Sequence, residues 1–378
     1  MFKAFNEAFI KELLEIKSSF YKIGLLTLFP LLAFGLIVAI FYKGVAYEMP
    51  VVAVDLDKSE LSRDILFSID ASSTIDIKYR VETPKEAADL LKASKAYALI
   101  IVPKGFAKDT QLLKQPKITF MLNTQYILVG KILKAAFVKS LNTMAASFDE
   151  VRSLKNGDVT LLSKQTPIEL QITPYFNTSK NYFYFLVSAL LPSIWQIFIV
   201  IAVIVSFGTL FKAKKEQEFF KGGHISMKIF GKLLPYTVVY MFLGFGFLYY
   251  LYFYLGWEFQ GSFGFLLFGM FLTLLAYEAA ALTLFVTGFD YARSLSLGAV
   301  YTAPAFAFLG ITFPASNMNS LALFWRDMLP ISKYMELQIS QANYGAAMID
   351  DVSKLFYISL FLLLFIPVVI RFKQRLKV

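Results

Sequence analysis

The sequence predicts an α-helical integral membrane protein with six transmembrane helices and an inserted α/β extracytoplasmic domain between helices one and two. Three observations predict this fold. The 378-residue chain is 57% hydrophobic, which exceeds the usual share in soluble domains. Aromatic residues reach 17%, as is common where a protein meets lipid. Apolar runs of about 20 residues recur, and each is long enough to cross the hydrocarbon core as a helix.

Six segments have the length and apolar character of spans. They are residues 23–42, 182–211, 233–255, 263–286, 294–313 and the shorter 355–370. Prolines at positions 30, 192 and 304 predict kinks within three of them. The resulting domain prediction is 1–22 for an interfacial amphipathic helix, 23–43 for transmembrane helix 1, 44–180 for the extracytoplasmic domain, and 181–378 for helices 2–6. The last part includes a cytoplasmic loop at about 211–232.

The distribution of Lys and Arg predicts the orientation. Fifteen of them lie before the first span, between the second and third, between the fourth and fifth, and after the sixth. The short loops on the other side carry three: Arg326, Lys333 and Lys354. The positive-inside rule therefore predicts that both termini and the 211–232 loop are cytoplasmic. Because topology explains the net charge of +10, no nucleic-acid partner is expected.

The first 22 residues have the pattern of an amphipathic helix. Apolar residues recur at three- and four-residue steps, namely Phe2, Phe5, Phe9, Leu13, Ile16 and Phe20. Polar residues, including Lys11 and Glu12, occupy the other face. Since a span follows directly, the pattern favours a helix in the cytoplasmic interface of the membrane. A soluble helix that binds a partner is the alternative.

Residues 44–180 have the pattern of a soluble α/β domain. Strands are predicted at 50–55, 75–81, 98–102 and 117–122, and helices at 59–69, from Thr83-Pro84 onward, and at 124–155. Thr83, Pro84 and Glu86 have the spacing of a helix start with a capping box. The segment 168–172 is predicted to return the chain to the membrane. Strands that alternate with helices indicate a layered βαβ-type domain.

The sequence has few of the residue types that commonly act in catalysis. The chain has no Cys, and its one His, His224, lies in the predicted cytoplasmic loop. Neither a cysteine nucleophile nor an extracytoplasmic His-based site can therefore exist. Asp55, Asp57 and Asp64 could bind a metal or act as acid and base. The favoured interpretation is that the aspartates end a strand while Asp57 or Ser59 caps the next helix.

Glu278 is the candidate intramembrane polar site. It lies within the predicted fourth span, where a carboxyl group is costly unless it is paired or faces a cavity. It either contributes to a translocation path or forms a structural hydrogen bond to a neighbouring helix. The sequence leaves both alternatives open.

The order of these elements resembles the permeases of type 2 ABC transporters, in particular bacterial exporters with a large extracytoplasmic domain. The resemblance covers essentially the whole chain. It is carried by 51–59 with 61–63, by 96–106, by 231–236, and by 308–314 with 329–334. It implies a permease subunit of an ABC exporter that forms the translocation pathway for efflux.

The resemblance also implies a coupling role for the 211–232 loop. In that family the loop between the second and third spans contacts the ATPase. Lys214, Lys215, Glu216 and Glu218 occupy this place, although the Arg-Gly-Thr sequence common in the family is missing. The Gly-Lys pairs at 130–131 and 231–232 lack the second glycine and the hydroxyl residue of a P-loop. The resemblance therefore implies no cofactor bound by this chain and no enzymatic activity, with ATP used by a separate ATPase subunit.

Further partners follow from the same resemblance. They are a second permease chain, as homodimer or homologous heterodimer, and a periplasmic adaptor. The implied location is the bacterial inner membrane. The alternative function is a membrane-anchored receptor or assembly factor whose extracytoplasmic domain binds a ligand or partner.

Overall fold

The computed structural model describes residues 1–42, 44, 47–112, 116–123, 127–156 and 181–376. The chain divides into two compact units. The membrane unit comprises Met1–Gly44 and Pro174–Val378, and the α/β unit comprises Val45–Thr173. The segment 168–172, which is predicted to return the chain to the membrane, lies outside the described residues.

The elements follow in chain order. The first helices are α1 (Phe2–Ser18), α2 (Phe20–Leu26) and α3 (Leu28–Phe41). The α/β unit contains β1 (Met49–Asp55), α4 (Glu60–Asp70), β2 (Ile75–Val81), α5 (Pro84–Lys92), β3 (Ala98–Val102), α6 (Phe106–Gln111), β4 (Thr119–Leu122) and α7 (Ile127–Asn156). The membrane unit continues with α8 (Tyr182–Lys212), α9 (Glu216–Phe219), α10 (Ile225–Tyr249), α11 (Phe263–Val286), α12 (Tyr291–Thr302) and α13 (Ala305–Phe308). It ends with α14 (Ser320–Asp327), α15 (Pro330–Ile339), α16 (Met348–Leu360) and α17 (Phe365–Leu376). Short π or 3₁₀ segments lie at Tyr250–Tyr254, Ala315–Asn317, Ser340–Tyr344 and Phe361–Leu364.

Within the described residues, five helical segments are long and apolar enough to cross a membrane. They are Phe20–Phe41, Tyr182–Lys212, Ile225–Tyr254, Phe263–Val286 and Met348–Leu376. They coincide with the first four and the sixth of the predicted spans. The protein is therefore a multi-pass membrane protein.

The predicted fifth span, 294–313, is not one continuous helix. α12 ends at Thr302, and the chain resumes helical structure only for the four residues of α13. Pro304 lies at the break, where it has no N–H to continue the hydrogen-bond ladder. The buried amide of Gln196 on α8 donates to the freed carbonyl of Thr302 at 3.0 Å. A side chain from the neighbouring helix thus satisfies the interrupted backbone.

The α/β unit is built on a four-stranded sheet of order β2-β1-β3-β4. β1 runs parallel to β2 and β3, while β4 is antiparallel to β3. One face packs against α4 and α7 around Val51, Ala53 and Ile100, and the other packs against α5 around Val52 and Val54. Alternate residues of β1 therefore serve both cores, as expected of a central parallel strand. Strands β2 and β3 have the predicted bounds.

Two aspartates after β1 join the turns of this sheet. Asp55 accepts backbone N–H bonds from Asp57 and Lys58, and Ser59 caps α4. Asp57 accepts from the N–H groups of Gly105 and Ala107, at 2.8 and 3.0 Å. In the described residues, no group of three or more acidic or His side chains could hold a metal ion. The hydrogen bonds of Asp55 and Asp57 to the turns, and the Ser59 cap, are those of the strand-ending interpretation.

α1 lies along α10, and its location in the membrane interface stays a prediction. Its buried residues are Ala8 and Glu12, whereas Phe2, Leu13 and Leu14 are exposed. Gly231 permits the contact, because a Cβ there would lie 3.1 Å from the Cβ of Ala8 and collide with the Phe5 carbonyl oxygen. A glycine on α10 thus allows α1 to approach its backbone.

Candidate functional site

A buried ion-pair cluster joins α1 to the membrane helices. The Glu12 carboxylate is fully buried. It accepts from Lys22 at 3.1 Å, from the Ser206 hydroxyl at 3.0 Å and from the Tyr236 hydroxyl at 2.5 Å. Its other oxygen is bound by Lys232. Four elements, α1, α2, α8 and α10, therefore converge on one carboxylate.

The cluster is balanced in charge. Glu15, which is partly exposed, pairs with Lys22 at 2.8 Å and lies 3.7 Å from Lys232. Burial raises the pKa of Glu12, but the nearby charges of Lys232 and Lys22 outweigh it, and the pKa lies below its usual value of 4.5. Glu12 is thus ionised, as a buried carboxylate can be when cations and donors surround it.

Lys232 also reaches α9. Its ammonium group lies 5.1 Å from the ring centre of Phe219 and 5.7 Å from that of Phe207. Rings at this distance attract a cation. The same buried lysine therefore contacts α1 through Glu12, α8 through Phe207 and α9 through Phe219.

α9 is anchored by a second lysine of α10. The ammonium group of Lys228 donates to the carbonyl oxygens of Phe219 and Lys221, at 2.9 and 2.6 Å. These carbonyls lie at the end of α9, where they lack helical partners, and a basic side chain commonly binds them. Phe219 and Phe220 are buried beneath the turn. Two lysines of α10, Lys228 and Lys232, thus hold α9 in place.

A small cleft of about 140 Å³ lies between α1, α9 and α10. α1 contributes Glu7 and Lys11 to it, and α9 contributes Glu218. The cleft is mixed in charge, and Lys228 of α10 is among the residues that line it. Such a recess could hold a side chain of another protein.

The four residues predicted for the coupling loop lie at α9. Lys214, Lys215 and Glu218 are exposed, while Glu216 is half-buried. One carboxylate oxygen of Glu216 is buried with no hydrogen-bond partner among the described residues. Lys214 lies between the end of α8 at Lys212 and the start of α9, and it has a left-handed backbone with φ of 57°. The turn thus exposes two positive charges and one negative charge.

Glu278 lies apart from this cluster, in α11. It is 1% exposed, and its carboxylate accepts from the Thr237 hydroxyl of α10 at 2.7 Å. The contact is the interhelical hydrogen bond that was one of its two predicted roles. Its part in a translocation path stays a prediction.

Sequence patterns did not point to Glu12, Lys228 or Lys232 as a set. Glu12 belongs to the polar face of the amphipathic pattern, and both lysines were counted as orientation signals. One signal was available: Lys232 follows Gly231 in an otherwise apolar stretch, where small residues permit close packing. A charge beside such a glycine indicates a buried partner from another helix.

The fold and the site together define a multi-pass membrane protein. Its charged helices α1 and α9 are connected to the long apolar helices α8 and α10 through buried lysines. The sequence profile of the ABC-2 family transporter proteins matches residues 23–371, which is most of the chain. The chain belongs to this family, as the resemblance predicted, and it is the membrane subunit of a transporter. No curated protein and no solved structure matches the chain.

Proposed function

We propose that this chain is the permease of an ATP-driven exporter, and that a separate ABC ATPase docks on α9 and the adjoining face of α1. We call this surface the docking face. Its exposed charges are Glu7, Lys11, Lys214, Lys215 and Glu218. The family supports a transport role, since its permeases generally partner with an ABC ATPase.

The observation that carries the proposal is the connection beneath the docking face. Lys232 contacts both Phe219 of α9 and Glu12 of α1. A displacement of either helix by a bound ATPase would therefore move a charge that is buried in α10. Separating a buried ion pair is costly, so the elements that share it move together.

Transport then follows from this connection. ATP-driven closure of the docked ATPases displaces α1 and α9, and the movement reaches α8 and α10 through Ser206, Tyr236 and Lys232. The helices rearrange around a pathway shared with a second permease chain. Both termini and the docking face are cytoplasmic in this proposal, in the inner membrane of a bacterium.

Co-purification tests the docking face. The tagged full chain is purified from its native cells, and co-purified proteins are searched for one with a P-loop sequence and ATPase activity. Reversing three charges together, K214E, K215E and E218K, is expected to lower the recovered ATPase by about tenfold or more. The control variant K373E reverses an exposed charge near the C-terminus, and we expect it to recover as much ATPase as the unaltered chain. Recovery of no ATPase with the unaltered chain would contradict the proposal and favour a receptor or assembly factor. Equal recovery with the triple variant would contradict the docking face.

A further inference from the structure

A second cleft, of about 360 Å³, lies in the α/β unit. It is at the carboxyl ends of β1 and β2, beside α4. Open parallel sheets bind ligands outside the carboxyl ends of their strands. The volume is also within the range of small-molecule sites. The size of the cleft is that of a ligand site, and it lies at strand carboxyl ends on the β2 side of β1 rather than at the β1–β3 switch point.

A bulge in β2 builds one wall of this cleft. Relative to β1, β2 has one extra residue between Asp76 and Tyr79. Ile75 packs with the α4 core before the bulge, whereas Tyr79 packs with the α5 core after it. Arg80 consequently lies on the α4 face, paired with Ala53 of β1. Bulges re-aim side chains in this way and are common beside binding sites. The small side chain of Ala53 leaves the space open.

Two arginines face the cleft with donors unused. The guanidinium group of Arg80 has no ion pair or hydrogen bond in the part of the chain that the structure describes. Arg63 of α4 donates from one Nη to the Lys58 carbonyl oxygen at 3.0 Å, which holds its side chain against the turn. Its other nitrogens have no partner among the described residues. A guanidinium group carries five N–H donors, so most of both forks are available.

The carboxylates of the cleft do not neutralise these arginines. Asp55 already accepts two backbone N–H bonds and the Ser62 hydroxyl, the latter at 2.7 Å. Glu82 binds the ammonium group of Lys58 at 2.9 Å. The cleft therefore has an excess of positive charge beside apolar surface from Leu66 and Val81.

We propose that this cleft binds a small organic anion, with one carboxylate or phosphate group between Arg63 and Arg80. Guanidinium forks match both groups in geometry, and the apolar part of the anion would lie against Ala53, Leu66 and Val81. This site does not depend on an ATPase or on export. It gives the α/β unit a ligand chemistry of its own.

Calorimetric titration of the full chain in zwitterionic lipid nanodiscs tests the site. The probes are phenyl phosphate and benzoate, with phenol as the neutral analogue. At least one anion is expected to bind, and phenol is not. R80Q and R63Q are each expected to weaken binding by about tenfold or more, since each removes charge-assisted hydrogen bonds.

Two further variants test whether binding depends on the guanidinium geometry of Arg80 or only on positive charge. K85Q removes an exposed cation from α5, on the other face of the sheet, and is expected to leave the affinity unchanged. R80K keeps the charge without the fork and is expected to bind more weakly than the unaltered chain but more tightly than R80Q. The inference is overturned if neither anion binds at millimolar concentration, if R80Q binds as tightly as the unaltered chain, or if K85Q weakens binding as much as R80Q.

Discussion

Glu12 is the residue on which the membrane unit most depends for its charge balance. Replacing it with Gln leaves Lys232 buried beside a neutral amide. Loss of one partner from a buried pair typically destabilises a protein by about 3–5 kcal/mol. We expect E12Q to lower the thermal unfolding midpoint of the purified chain clearly. E7Q removes an exposed carboxylate from the same helix and is expected to have little effect.

The pairing itself is tested by a double-mutant cycle. K232M alone leaves Glu12 with Lys22 and two hydroxyl donors, so it also destabilises. The variant E12Q/K232M is expected to lose less stability than the two single variants together, because the lone buried charge is gone. Additive losses would show that the two residues act independently.

For single residues, the sequence reveals a charged residue that lies within an apolar segment. It does not reveal a buried charge whose partner is distant in the sequence. Glu278 was evident because its neighbours are apolar. The burial of Glu12 depends on Lys232, which is 220 residues distant. No local pattern encodes that distance, so an amphipathic interpretation placed Glu12 on the polar face.

Among the elements, the contact between α1 and α10 depends on one glycine. G231A would place a methyl group against the Phe5 carbonyl oxygen, and such overpacking costs about 1–3 kcal/mol. We expect faster hydrogen exchange in α1, as measured by mass spectrometry. G246A is the matched control on the same helix, because nothing lies within 4 Å of its added Cβ. Equal exchange in both variants would contradict the close approach.

The contact between the turn after β1 and the turn after β3 has a predictable pH dependence. Hydrogen bonds from Ser59 and from the N–H groups of Ala107 and Gly105 lower the pKa of Asp57 below its usual 3.8. Because the pKa of Asp57 is lowered in the folded state, its ionised carboxylate stabilises the fold. This stabilisation is fully present above pH 3.8 and is lost as the pH falls through the lowered pKa. D57N should lack it.

Acid titration of the α/β fold within the full chain, followed by far-UV circular dichroism, measures this effect. D57N is expected to be less stable near neutral pH and to lose less stability on acidification than the unaltered chain. D64N, at an exposed position of α4, provides the control. An unchanged acid profile in D57N would contradict the role of this carboxylate.

The elements best predicted from the sequence have strong local signals. Thr83 and Pro84 mark the start of α5, and the apolar run of β3 ends before Pro103. α14 and α15 were missed because they are short and lie in a segment interpreted as a loop. The predicted fifth span failed as one helix because Pro304 divides a run whose hydropathy is continuous.

For the whole molecule, composition and apolar length predicted the class of protein correctly, since a bilayer sets both. The order of elements also predicted the transporter family. Orientation and the ATPase partner stay predictions. The cluster beneath the docking face emerged only from the folded chain, because it combines residues of α1, α2, α8 and α10.

ATP-dependent movement of α10 in the complex with its ATPase tests the account most directly. Because the chain has no cysteine, F242C on the exposed face of α10 accepts a single environment-sensitive fluorophore. With the unaltered cluster, ATP and vanadate are expected to change the fluorescence. With E12Q, the ATPase is expected to remain bound while the change is lost or strongly reduced. A full response in E12Q, with the ATPase bound, would contradict transmission through the buried ion-pair cluster.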